Sequence, residues 1–205
     1  MFILAEGNCG SASKHISMNV YDFDKTIYRG DSTMRFILHL VRRQPRLLCY
    51  VPAFSVNALL FLAGRREKQD FKQRMFRAFF GHARDIEGEL ALFWKSNISR
   101  VFKWYRANQR PDDVVISASP VDIVRPCCEM LGIRHVMGSP VDIRSGEYSG
   151  PNCHGEEKVR RFNAAFPGAQ IDNFYSDSHS DDPMARIAQK SFMVRGEELS
   201  PWEFE

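Results

Sequence analysis

At 205 residues the chain is long enough for one core domain with a sizeable insertion, and too short for two independent domains of ordinary size. A hydrophobic share of 44% beside 26% charged residues excludes a disordered or fibrous chain, and a net charge of +3 is too small to argue for a nucleic-acid partner. Five cysteines, with no Cys-x-x-Cys pair and no histidine at zinc spacing, read as buried reduced thiols, Cys127 and Cys128 foremost, and fit a reducing cytosol.

In chain order, residues 1–17 read as a flexible leader, because the apolar start at 1–5 is too short for an export-signal core and no basic residues precede it. Residues 19–23 form a short apolar run ending in acidic residues, a buried strand running into a functional loop. From Thr33 to about Arg110 the pattern turns helical. Phe36, Ile37 and Leu40, then Phe71, Met75 and Phe79, then Ile86, Leu90 and Phe93 recur at helical spacing, and these stripes are read as core packing. After Pro111, strands are expected at 114–117, 135–137, 171–175 and 191–194, and helices at 121–131, 156–166 and 183–189, with a hairpin over 141–148 about Ser145-Gly146. That alternation predicts the α/β class: a three-layer Rossmann-like core with a parallel sheet, residues 18–30 and 108–205, interrupted by an all-helical cap at 31–107.

In an open parallel sheet, ligands bind beyond the carboxyl ends of the strands. Four polar segments fall there: Asp22-Phe23-Asp24-Lys25-Thr26, Ser117, Lys158, and Asp177 with Asp181. Carboxylates converging on one point repel unless a cation neutralises them, and an all-oxygen set suits Mg²⁺. A carboxylate can also attack phosphorus, while a hydroxyl and an ammonium placed opposite hold the phosphoryl oxygens. Taken singly, an Asp-x-Asp is a loop cap, a serine after a strand is a turn residue, and a lysine after two glutamates is a helix-surface charge. None of those readings accounts for all four positions together.

In this order the segments resemble the four motifs of the haloacid dehalogenase (HAD) superfamily: Asp22-x-Asp24-x-Thr26, the strand ending in Ser117, Lys158 in Gly155-Glu-Glu-Lys158, and the acidic pair Asp177 and Asp181. The helical stretch between the first two motifs, with Gly138-Ser-Pro-Val ahead of Gly155, resembles the phosphoserine-phosphatase-like branch, subfamily IB, with its C1-type cap. The resemblance implies that Asp22 is nucleophile and Mg²⁺ ligand, and that Asp24 is the general acid and base and offers its carbonyl to the metal. Asp177 would supply the remaining carboxylate, with Asp181 just outside the metal's own ligands. Ser117 and the amide of Ala118 would bind the phosphoryl group, Lys158 would hold Asp22 and that group in register, and Thr26 would fix the loop. Hydrolytic members have the second Asp of the first motif and dehalogenases lack it, so Asp24 argues for phosphoryl chemistry. Ser176 stands where many relatives have glycine, and His154 and His179 are given no role.

The function implied is a Mg²⁺-dependent phosphomonoester hydrolase that works through an aspartyl-phosphate on a small phosphorylated metabolite. Residues 47–64 bear on an alternative. They are strongly apolar with Asn57 the one strongly polar side chain, and are bordered by Arg42, Arg43 and Arg46 on one side and Arg65, Arg66 and Lys68 on the other. A stretch below the ~20 residues of a bilayer span reads most plainly as a helix pair buried in the cap. The alternative is a cap resting on an anionic membrane to reach a lipid phosphate such as phosphatidylglycerophosphate. The chain is therefore expected in the cytoplasm, free or at the membrane surface. A third reading, a module that binds Mg²⁺ and a phosphorylated ligand without catalysis, gives Asp24 nothing to do. A transferase passing the phosphoryl group to an alcohol shares the first half-reaction with the hydrolase.

Overall fold

The computed structural model describes residues 17–204, so the leader lies outside the described residues except for Ser17, which already opens the first strand, β1 (Ser17–Tyr21). A helical insert follows: α1 (Ser32–Arg43), a 3-10 turn at Pro45–Tyr50, α2 (Val51–Leu62), α3 (Lys68–Phe79), α4 (Ile86–Asn97) and α5 (Lys103–Asn108). Asp31 starts α1 by accepting the Met34 amide at 2.8 Å, an N-cap that satisfies one of the helix's orphan donors. The chain then alternates through β2 (Val114–Pro120), α6 (Val121–Met130) and β3 (His135–Ser139). A small hairpin, β4 (Val141–Asp142) and β5 (Glu147–Tyr148), leads to α7 (Glu156–Ala165) and β6 (Gln170–Ser176). The described chain closes with α8 (Asp182–Ile187), β7 (Ala188–Arg195) and β8 (Glu198–Pro201).

The main sheet has the order β3-β2-β1-β6-β7-β8, parallel throughout except for β8, which pairs antiparallel with β7 at the edge. The expected α/β core is therefore present, and β8 is an addition to it. All four of its residues are exposed, so it carries no apolar alternation from which a strand could be read.

Successive strand residues point to opposite faces and divide the interior in two. Val20, Val114, Ile116 and Phe174 pack with Phe162 of α7, Met184 of α8 and Trp202 on one side. On the other, Tyr21 and Val115 join Ile123, Val124 and Cys127 of α6, and the same cluster runs on without a break into Phe36, Phe76, Phe80, Phe93 and Trp94 of the insert. The insert thus shares a core with the sheet. Trp94 is the hinge of that union: its indole N–H donates to the Ile123 carbonyl at 2.7 Å, and its ring lies 6.0 Å from Phe23 and 5.2 Å from Tyr28.

The apolar run at 47–64 departs from the buried helix pair expected of it. It forms the end of the 3-10 turn and then α2, a single α-helix on the surface. Leu59 is 65% and Leu62 79% exposed, and Leu48, Val51 and Val56 also face solvent. Asn57, its polar residue, is buried and donates to the Phe71 carbonyl at 3.0 Å; Phe54 and Phe61 pack on α3 beside it, while the leucines and valines named above face outward. A run apolar on every side has no periodicity to show which face will be covered.

Substitutions at Trp94 test the shared core. Trp94→Ala is expected to cost about 3–5 kcal/mol, and Trp94→Phe clearly less, in urea unfolding. An Ala variant within 1 kcal/mol of the wild type would show that insert and sheet are not one packed unit.

Candidate active site

β1 delivers Asp22 to the carboxyl edge of the sheet, where its amide still donates to the Tyr175 carbonyl of β6 at 2.9 Å. The chain then turns tightly: Ile27 and Tyr28 both donate to the Phe23 carbonyl, and Lys25 takes up a left-handed φ of 59°. Phe23 and Tyr28 anchor this loop in the aromatic cluster, which leaves Asp22 and Asp24 at the rim. Thr26 is fully buried and its hydroxyl has no hydrogen-bond partner, so it fills space beneath the loop rather than bracing it.

β2 reaches the same rim through an irregularity. Its register with β3 passes from Ile116 opposite Met137 to Pro120 opposite Ser139, four residues against two, so Ser117, Ala118 and Ser119 bulge toward the cavity. Gly138 makes room for the bulge: a Cβ there would sit 2.8 Å from the Ser119 carbonyl oxygen. Ser119 was not anticipated from the sequence. Its hydroxyl donates to Asp24 Oδ2, its amide donates to Ser117 Oγ at 3.1 Å, and it accepts from Thr33 at 2.9 Å.

Lys158 enters from the first turn of α7. The turn begins at Gly155, whose φ of 59° with ψ of −128° is open to glycine and strained for any other residue. The Lys158 ammonium is buried and donates at 2.7 Å to both Asp22 Oδ1 and Asp181 Oδ2. Burial works against its charge, but the two carboxylates outweigh that and hold it protonated. Ser176 donates to the same Asp181 oxygen at 2.7 Å, which gives the serine at this position a task that glycine cannot perform. Asp177 lies beside Lys25, 4.0 Å away. Asp182 points elsewhere, accepting from the Trp202 indole at 3.0 Å.

All seven residues expected at the site, Asp22, Asp24, Ser117, Ala118, Lys158, Asp177 and Asp181, line one cavity of about 260 Å³. Burial pushes the Asp22 carboxyl up to about 7 despite Lys158, and Asp181 adds to the rise. Burial and the charge of Asp31 push Asp24 up to about 6, against hydrogen bonds from Ser119 and from the Ser32 amide. Five carboxylates line the cavity, and of its four lysines only Lys158 is fully buried among them. The insert supplies what the sequence did not reveal: Asp31, and Lys68 and Lys72 of α3, complete the lining, with His154 beside them.

Among the described residues no three carboxylate, histidine or cysteine side chains are gathered into a metal cage. The donors nevertheless fit a hard cation that takes part of its shell from water and substrate, as Mg²⁺ does. They are all oxygens, they carry excess negative charge, and Asp181 Oδ1 is buried without any hydrogen-bond partner.

The model of the haloacid dehalogenase-like hydrolase family matches residues 20–186, and the chain belongs to that family. A Mycobacterium tuberculosis protein named as a probable phosphatase is 38% identical over 90 residues, 40% of this chain and 31% of that one, so the likeness spans about a third of the relative's length. Among solved structures, a Bordetella pertussis protein of unknown function superposes with a TM-score of 0.70 at 18% identity, covering 86% of this chain and 89% of the other. A probable phosphoserine phosphatase from Vibrio cholerae gives 0.65 at 11% identity over 85% and 55%. A phosphoserine phosphohydrolase-like protein from Francisella tularensis gives 0.56 at 13% identity over 86% of each chain. At such identities the likeness to these structures is one of fold.

Lys158→Met leaves Asp22 and Asp181 buried with no ammonium between them, an expected loss of about 3–5 kcal/mol at pH 8 in EDTA. The Asp22 carboxyl, already raised by burial, then loses the ammonium that lowers it, so the folded state binds more protons than the unfolded one and stability rises as pH falls. Urea unfolding of the variant is expected to show higher stability at pH 5.5 than at pH 8. A variant as stable as wild type at pH 8 would contradict the charge balance described.

Proposed function

We propose that the chain is a Mg²⁺-dependent phosphatase in which Asp22 attacks a phosphomonoester of a small metabolite. The observation that carries this reading is the buried Lys158 ammonium bridging Asp22 and Asp181 beneath a cavity that also holds Asp24 and the Ser117–Ser119 bulge. A carboxylate oxygen of Asp22 forms a bond to phosphorus as the bond to the substrate's leaving oxygen breaks. Asp24, its pKa already raised toward neutrality, is suited to give that oxygen its proton. Water then attacks phosphorus, Asp24 takes a proton from it, and the bond to Asp22 breaks to release inorganic phosphate. Lys158 orients Asp22, and the Ser117 hydroxyl with the Ala118 amide is suited to receive the phosphoryl oxygens. Mg²⁺, held by Asp22, Asp177 and the Asp24 carbonyl, would supply positive charge against the phosphoryl oxygens. The buried thiols of Cys127, Cys128 and Cys153 suit the cytosol as its compartment.

Phosphate release from para-nitrophenyl phosphate is expected to need Mg²⁺, to stop in EDTA, and to fall at least a thousandfold in Asp22→Asn, about 4 kcal/mol of barrier. Release that survives both changes would move the reaction to other residues.

One observation favours a lipid phosphate as the substrate instead. The surface helix with its lead-in, Pro45–Leu62, has a mean hydropathy of 1.4 over 18 residues and is only 11% buried. It lies along α3, with Phe61 stacked on Phe71 at 4.8 Å, so its apolar side can rest on a bilayer while arginines at both ends meet anionic headgroups. Wild type is expected to sediment with phosphatidylglycerol vesicles at low salt. Leu59→Glu with Leu62→Glu should stay in the supernatant yet keep its para-nitrophenyl phosphate activity. Wild type that remains unbound would remove this reading.

A further inference from the structure

The insert closes the cavity with two lysines that the proposed chemistry does not use. Lys68 and Lys72 stand four residues apart on α3, on one face of that helix, and both line the cavity that holds Asp22. Their position is built. The Gly146 carbonyl and the Tyr148 amide of the β4–β5 hairpin bond both ends of the Gln73 side-chain amide, at 2.9 and 3.1 Å, and Arg77 pairs with Glu147 at 2.8 Å. These contacts fix the roll of α3 so that Lys72 faces inward.

The other two cavity lysines have carboxylate partners. Lys158 has Asp22 and Asp181, and Lys25 has Asp177. Among the described residues neither Lys68 nor Lys72 has a carboxylate within 4.0 Å. Lys72 Nζ donates to neutral acceptors, the Ala118 carbonyl at 3.0 Å and Asn152 Oδ1 at 3.3 Å, and Lys68 Nζ meets His154 Nε2 at 3.0 Å. Lys72 is part-buried and Lys68 more open; carboxylates across the cavity act on both only at longer range, Asp24 and Asp31 on Lys72 and Asp181 on Lys68. Each therefore hydrogen-bonds only neutral groups, and Lys72 keeps an N–H free for an anion. Ala118 ties the pair to the reaction, because its carbonyl is held by Lys72 while its amide belongs to the proposed phosphoryl cradle.

Resting on the phosphatase reading, we infer that Lys72, with Lys68, binds a second anionic group of the substrate, a carboxylate or a phosphodiester carried near the phosphomonoester. Such a group occurs in acidic phosphometabolites and in lipid headgroups alike. Lys72 is a specificity-determining residue in this account and takes no part in the bond changes.

The test compares matched pairs: glycerol 3-phosphate with 3-phosphoglycerate, and phosphatidic acid with phosphatidylglycerophosphate in detergent. Para-nitrophenyl phosphate serves as the reference without a second anion. Wild type is expected to favour the doubly anionic member of at least one pair by tenfold or more in kcat/KM, and the pair that shows it identifies a soluble or a lipid source. Lys72→Gln should cut the preference for that member over para-nitrophenyl phosphate ten- to a hundredfold, mainly through KM, and Lys72→Arg should restore most of that preference. Equal losses on every substrate would place Lys72 on the scissile phosphoryl group or in structure alone, and no preference in wild type would overturn the inference outright. Binding of the same ligands to Asp22→Asn by calorimetry, with and without Lys72→Gln, reads the subsite even where no phosphate is released. The phosphatase reading can then fail while the second-anion site stands, or the reverse.

Discussion

A single lysine ammonium, enclosed between two aspartates, organises this molecule. Lys158 arrives from a helix on one side of the sheet and meets Asp22 at the end of a central strand and Asp181 just after the neighbouring one. Three segments distant in sequence are thereby drawn to one point. Burying an ion pair seldom stabilises a fold by itself, because each charge loses its water. Here there are more carboxylates than ammoniums, so the arrangement stores an imbalance that a metal and a phosphoryl group can relieve. Asp181 Oδ1 is left without a hydrogen-bond partner, and the Asp22 and Asp24 carboxyls are raised chiefly by burial and further by the neighbouring carboxylates.

The rest of the core holds that point still. Hydrogen bonding of β1 to β6 continues as far as Asp22, the Phe23 ring locks the following turn against Trp94, and the bulge in β2 turns three consecutive residues toward the cavity. The insert does more than cover the site, since its aromatic residues are part of the core beneath the sheet and its third helix contributes cations to the cavity wall.

Much of this could be read from the sequence because it is local. The Asp22–Thr26 segment, the strand ending in Ser117 and the Gly155–Lys158 turn each place a charged or hydroxyl side chain where a strand ends or a helix begins. What stayed hidden depends on tertiary contact. Lys68 and Lys72 look like an ordinary solvated helix face until the Gln73 contacts to the hairpin turn them inward. Ser119 was lost because the strand was expected to stop at Ser117, and a bulge leaves no mark on apolar periodicity. The outward-facing helix escaped for the opposite reason. Its sequence is apolar all round, and only the fold shows that between Val51 and Leu62 the residue it buries is Asn57 and not a leucine.

The central claim is that Asp22 becomes covalently phosphorylated. Its most direct test is acid quenching of the Asp24→Asn variant during turnover, followed by mapping of the phosphorylated peptide by mass spectrometry. With para-nitrophenyl phosphate, whose leaving oxygen departs without needing a proton, that variant should accumulate the intermediate, because the base proposed to activate water has been removed. The account predicts an acyl phosphate on the Asp22 peptide that is labile to hydroxylamine. Phosphate on another residue, or product formed with no phosphorylated peptide at any quench time, would contradict it.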